Sequence, residues 1–166
     1  MEQFDNEKEK TDENPYEGLR QQVLGIKQSQ ELQEASGEHQ VFAAIVDMDM
    51  DKAIVSLACI ADGTTSLYFS NGGGQLGLGH ADEEIRKASL AFLNSAEQVL
   101  DIMDEVYEYP LPQNGKHFVY LITSDGVYRQ ELDMGTIDCE SKEKRFLNFL
   151  YQNVLSKIGE YSQREK

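Results

Sequence analysis

The chain has no tryptophan, only two cysteines and three prolines, and half as many basic as acidic residues. Each shortage excludes something. Two thiols cannot build a disulfide framework, and Cys59 within Val55-Ser56-Leu57-Ala58-Cys59-Ile60 reads as a reduced thiol in a buried strand. Fifteen Lys and Arg against thirty Asp and Glu leave a formal charge of −15. That field repels phosphate backbones and anionic lipid, so we expect no nucleic-acid partner and no membrane partner. No apolar run approaches the length needed to span a bilayer, and the polar N-terminus has no basic-then-apolar signal pattern. The expected location is the cytoplasm.

What remains is enough for one domain. At 166 residues and 40% apolar composition, the chain can bury a sizeable core. Residues 1–13 are charged, with Phe4 the only large apolar side chain after Met1, and are expected to be a disordered acidic tail. A single α+β domain over 14–166 follows. Asn14-Pro15-Tyr16-Glu17 reads as a helix start, with Leu19, Val23 and Ile26 on its apolar side. Strands are expected at 41–46, 53–60, 64–70, 118–123 and 127–134. Asp62-Gly63 and Asp125-Gly126 mark two tight hairpins. Ile85, Ala88, Phe92, Ala96, Val99, Met103 and Val106 form one long helical stripe. Ser141 caps a last helix with Leu147, Leu150, Tyr151, Val154, Ile158 and Tyr161 on one face. The expected architecture is a five-stranded, mostly antiparallel sheet flanked by three helices, in the order α-β-β-β-α-β-β-α.

Glycine is the residue used most unevenly. Asn71 to His80 reads NGGGQLGLGH, between a strand and a helix. Such density is found where backbone takes positive φ or where something approaches it closely. Gly72, Gly73, Gly74, Gly77, Gly79 and His80 are therefore the candidate binding loop. The run matches neither a Walker A motif nor a dinucleotide fingerprint, and Asp82, Glu83 and Glu84 would repel a phosphate at the following helix start.

Other chemistry is sparse. Asp47, Asp49 and Asp51 share one side of an extended segment, like the start of a calcium loop. An EF-hand needs Gly and Glu where Lys52 and Ala58 stand, so an acidic hairpin end is the simpler reading. His39, His80 and His117 are scattered, with no Cys/His spacing of a zinc site. His80 is the histidine worth testing as a base. No nucleophile elbow appears, and we assign no catalytic residue, no metal and no cofactor. Residues 141–166 alone are net basic, with six bases and three acids. Lys142, Lys144 and Arg145 form a candidate docking patch for an acidic segment.

The runs ADGTTSLYFSNGGGQLGLGH (61–80) and YPLPQNGKHFVYLITSDGVY (109–128) resemble a group of uncharacterised bacterial proteins. That group has a strand, a triple-Gly loop and a helix, then a Pro-rich turn and hairpin. The resemblance implies an architecture and makes the Gly loop a defining feature. The element order is also similar to that of acidic secretion chaperones, which hold partner segments, and of roadblock/profilin-like modules, which dimerise. We thus expect a non-catalytic protein-binding or adaptor module, homodimeric, with a protein partner that an acidic surface would suit if basic. The alternatives are a small-ligand sensor or enzyme using the Gly loop and His80, and an inhibitor of a basic toxin or nuclease.

Overall fold

A computed structural model describes residues 15–26, 34, 37 and 40–165. Its sheet has seven antiparallel strands: β1 (Val41–Asp49), β2 (Ile54–Ile60), β3 (Thr65–Phe69), β4 (Gly74–Gln75), β5 (Asp104–Val106), β6 (Lys116–Thr123) and β7 (Gly126–Asp133). Among the described residues there are four α-helices: α1 (Tyr16–Leu24), α2 (Leu78–Ala81), α3 (Glu83–Ala96) and α4 (Lys142–Arg164). The α+β class and antiparallel pairing agree with expectation, while five strands and three helices do not.

The two extra strands are two and three residues long, too short to show a period of two in sequence. The extra helix is a single turn, Leu78–Ala81, at the end of the glycine run. The long stripe beginning at Ile85 does not run on as one helix to Val106. After Ala96 the chain tightens into a 3₁₀ turn over Glu97–Ile102, and Val106 pairs with Val127 in the sheet. A 3₁₀ turn keeps i and i+3 on one side, so Ala96 and Val99 are both buried at its start, while Met103 is buried in the extended backbone just past it.

The sheet order is β4-β3-β2-β1-β6-β7-β5. Strands β1 to β4 form a meander closed by short turns, and β6 and β7 form a hairpin that carries β5. The two halves meet only where β1 pairs with β6, Val46 opposite Val119. Both edges are blunt. β4 is an exposed Gly-Gln pair, and β5 presents Asp104 and Glu105 to solvent. Short or acidic edges discourage further strand pairing.

Successive residues of β1 point to opposite faces, which divides the packing in two. Met48, Val46 and Ala44 share a face with His117, Val119 and Leu121 of β6. Helices α3 and α4 cover this face, with Ile85, Phe92, Leu147, Tyr151 and Val154 buried in it. Each such side chain contributes about 1.5–3 kcal/mol when fully buried. Asp47 and Ser56 lie side by side on the other face, under α1 and the 109–115 turn.

The Ser141 cap agrees with the sequence reading, and Asp82 caps α3 in the same way. Ser141 Oγ accepts from Lys144 N at 3.2 Å, and Asp82 Oδ2 accepts from Ile85 N at 3.2 Å. Arg164 reaches back to Asp82 at 3.0 Å and ties the end of α4 to the start of α3. Helix α1 begins at Tyr16 with Pro15 at its cap, while Asn14 and the 1–13 tail lie outside the described residues. No described helix is long and apolar enough to cross a membrane.

Candidate functional site

The glycine run divides into two jobs. Gly72 (φ 113) and Gly73 (φ 84) make the β3–β4 turn, in which Gly72 N–H donates to Phe69 O and Phe69 N–H to Gly73 O. The space where their Cβ atoms would sit is open, and both take positive φ, which glycine adopts without strain. Gly79 is the reverse. A Cβ there would collide with the carbonyl oxygen of Gly63, so the α2 turn lies directly on the β2–β3 hairpin. Gly74 opens β4, and Gly77 (φ 68) precedes α2. The exposed His80 Nε2 lies 3.3 Å from Thr64 Oγ1. The loop therefore leads into a one-turn helix, while the start of the longer α3 is already occupied by the Asp82 carboxylate.

The acidic triplet is likewise split. Asp47 is fully buried, Asp49 sits at the strand end, and Asp51 occupies the turn with φ 73. Arg20 donates Nε and Nη2 to Asp47 Oδ2 at 2.9 and 2.7 Å. Ser56 Oγ donates to Asp47 Oδ1 at 2.5 Å, and Tyr16 Oη lies 2.6 Å from Ser56 Oγ. Ser56 has spent its one proton on the carboxylate, so Tyr16 is the donor in that last bond. The Arg20 Nη2 also donates to Tyr109 O at 2.8 Å, and Tyr120 Oη donates to Pro110 O at 2.6 Å. Burial, then the nearby Asp47 charge, push the Tyr16 hydroxyl up to about 12. This network clamps α1 and the Pro-rich turn onto the sheet, and every charge in it is paired. Its hydrogen bonds run between elements of the fold.

A second polar cluster lies on the opposite face. Nδ1 of His117, only 6% exposed, is 2.7 Å from Tyr151 Oη. Tyr151 Oη also donates to Met134 Sδ at 3.9 Å. Burial pulls the His117 pKa down to about 4, against an opposing pull from Asp49, so the imidazole is neutral at pH 7. His117 forms part of the wall of an open cleft of about 670 Å³ shared with Asp49, Met50, Asp51, Asn114, Gly115 and Met134. Asp49 holds the cleft mouth in shape. Its two oxygens accept from Gly115 N and Asp51 N, which lowers its pKa below the usual carboxylate range. No group of three or more His, Cys, Asp or Glu among the described residues is placed to hold a metal ion.

His117 escapes sequence reasoning because its partner lies 34 residues away on another element. The available signal is a histidine at an inward position of an apolar strand. His39 lies outside the described residues. The two cysteines differ: burial pushes the Cys59 thiol up to about 12, whereas Cys139 is exposed.

The candidate docking patch is brought together in part. Lys144 turns to Glu140 at 3.2 Å. Lys142 and Arg145 are exposed and have no ion-pair partner among the described residues. Lys142 lines a shallow groove of about 290 Å³ with Gln98, Val99, Glu143 and Phe146. One turn along α4, Phe149 is 65% exposed. Residues 142, 145, 146 and 149 are neighbours at i, i+3 and i+4 spacings, so two cations and two aromatic rings share one strip of helix surface.

No family model matches the chain, and no match is found among curated proteins or solved structures.

Proposed function

We propose that the protein is a non-catalytic adaptor that takes an acidic, aromatic- or leucine-bearing segment of another protein along the first turns of α4. The observation that carries this reading is Phe149, an aromatic ring exposed beside Lys142 and Arg145 and next to the groove floored by Phe146 and Val99. An exposed apolar anchor with a charged rim is the composition of a binding surface, with the rings supplying affinity and the charges register. The basic strip stands out against a chain of formal charge −15, so it eases the long-range repulsion of an acidic ligand.

The test is a photo-crosslinking residue at position 149 in the native host, read by mass spectrometry. The expected product joins α4 to an acid-rich peptide of a different protein, and Lys142→Glu with Arg145→Glu removes it. Crosslinks to a second copy of this chain alone would make the surface a homodimer interface. Crosslinks indifferent to the charge reversal would overturn the acidic-segment reading.

A further inference from the structure

We propose that the cleft between α1 and the Pro-rich turn is a pocket for a small, neutral aromatic carboxamide, whose carbonyl oxygen accepts from Nη1 of Arg20. The site lies apart from the α4 surface and does not rest on the adaptor reading.

The free donor follows from the shape of the guanidinium. Arg20 is 7% exposed, and its planar fork fixes the direction of every N–H once one edge is bound. The Nε–Nη2 edge faces Asp47 Oδ2. Nη2 also donates to Tyr109 O at 2.8 Å, with Pro110 O at 3.5 Å. Nη1 makes no hydrogen bond to the described residues. Neither is it sealed from solvent, since among the described residues Ser89 Oγ is the one side-chain polar atom both sealed and unpartnered. The carbonyls that hold Nη2 belong to residues of the cleft wall, which Arg20 shares, so Nη1 opens beside them into a cavity of about 300 Å³.

The rest of the lining selects the ligand. Tyr16, Tyr109, Pro110 and Leu111 give aromatic and apolar walls that suit a flat ring. Tyr109 O already accepts from Arg20 and Pro110 O from Tyr120, so the inner wall has a donor to offer and calls for an acceptor. That acceptor is uncharged. Asp47 balances the guanidinium, Glu17 stands in the lining, and the chain carries −15, so a carboxylate gains no net attraction. A carboxamide supplies the carbonyl, and its N–H can donate to the exposed Glu17 or Gln21. The cavity is at the small end of ligand pockets, which limits the occupant to one ring and its substituent.

The experiment titrates benzamide, benzoate and benzamidinium, one shape in three charge states, into the full chain carrying ring-labelled tyrosine, read by NMR. We expect benzamide to bind in the millimolar range usual for so small a ligand, shifting the Tyr16 and Tyr109 signals and leaving Tyr151 on the opposite face unmoved. Benzoate and benzamidinium should each bind about tenfold more weakly. Arg20→Lys keeps a cation for Asp47 but has no Nη1, and should weaken benzamide by about tenfold or more. Leu111→Ala leaves the clamp intact and removes part of the apolar wall, and should weaken benzamide several-fold. No response to benzamide overturns the proposal. So does equal or tighter binding of benzoate, or benzamide affinity that both substitutions leave unchanged. A stronger response to N-acetylasparagine amide than to benzamide would place the amide on a protein segment and overturn the small-molecule reading.

Discussion

The two faces of the sheet are held by different physics. On the α1 face a fully desolvated carboxylate is met by two guanidinium bonds and one hydroxyl, and a second hydroxyl backs the first. On the α3–α4 face the closure is mainly apolar, with a neutral His–Tyr contact let into it. A polar closure requires each partner in place, because an orphaned buried charge costs more than the pair contributes. An apolar closure is graded, each lost methylene costing a little. The difference explains how a nine-residue helix with a glycine in its first turn can be kept on the sheet at all: α1 is fastened by direction-specific bonds.

Breaking the polar face should have the largest effect. Asp47→Ala leaves Arg20 buried without its counter-charge, and we expect a loss of about 3–5 kcal/mol in denaturant unfolding. Pairing it with Arg20→Met should restore most of that loss, since an apolar pair avoids the desolvation cost. A double variant no better than the single one would show that the hydroxyls and the Pro-rich turn, rather than the charges, fasten α1.

The next effect lies on the apolar face and depends on pH. His117 titrates near 4 when folded and near 6.5 when unfolded, so between those values the unfolded chain binds a proton that the native chain does not. Stability from this residue is complete above pH 6.5 and declines as pH falls towards 4, by at most about 3 kcal/mol. His117→Gln, compared with the parent from pH 7 to 4.5 in metal-free buffer, should show a flatter slope. Equal slopes would place the acid sensitivity in the carboxylates instead.

The smallest effect is a gain. Gly18 sits in α1 with open space where a side-chain methyl would stand, no atom lying within 4 Å of that position. Gly18→Ala should stabilise the chain by about 0.5–1 kcal/mol by reducing the freedom of the unfolded backbone. A neutral result would mean that the Arg20–Asp47 clamp already suppresses any fraying of α1.

Legibility in the sequence follows the same division. Long periodic segments, the two Asp-Gly hairpins and the Ser141 cap are readable because local spacing determines them. The apolar run from Val41 to Val46 ends at a carboxylate, which reads as the start of an acidic turn, yet β1 continues inward to Asp49. The partner of Asp47, Arg20, is 27 residues away, and no short-range pattern links them. A charged residue directly continuing a buried strand is the usable clue, since it must find a counter-charge. The glycine run is legible as a special segment but not as two jobs, because a turn that needs positive φ and a packed contact that needs no Cβ use the same letter. Sequence favours His80 over His117 because nearness to glycines is visible there, whereas Tyr151 across the fold is not.

The seam between β1 and β6 carries a consequence for assembly order. Residues 41–75 can zip together through short turns, and so can 116–133, each within its own stretch of chain. Joining them at Val46 and Val119 closes a loop of about seventy residues, whose entropy is lost before the α3–α4 face is rewarded. The topology predicts two locally formed halves whose joining is the slower step.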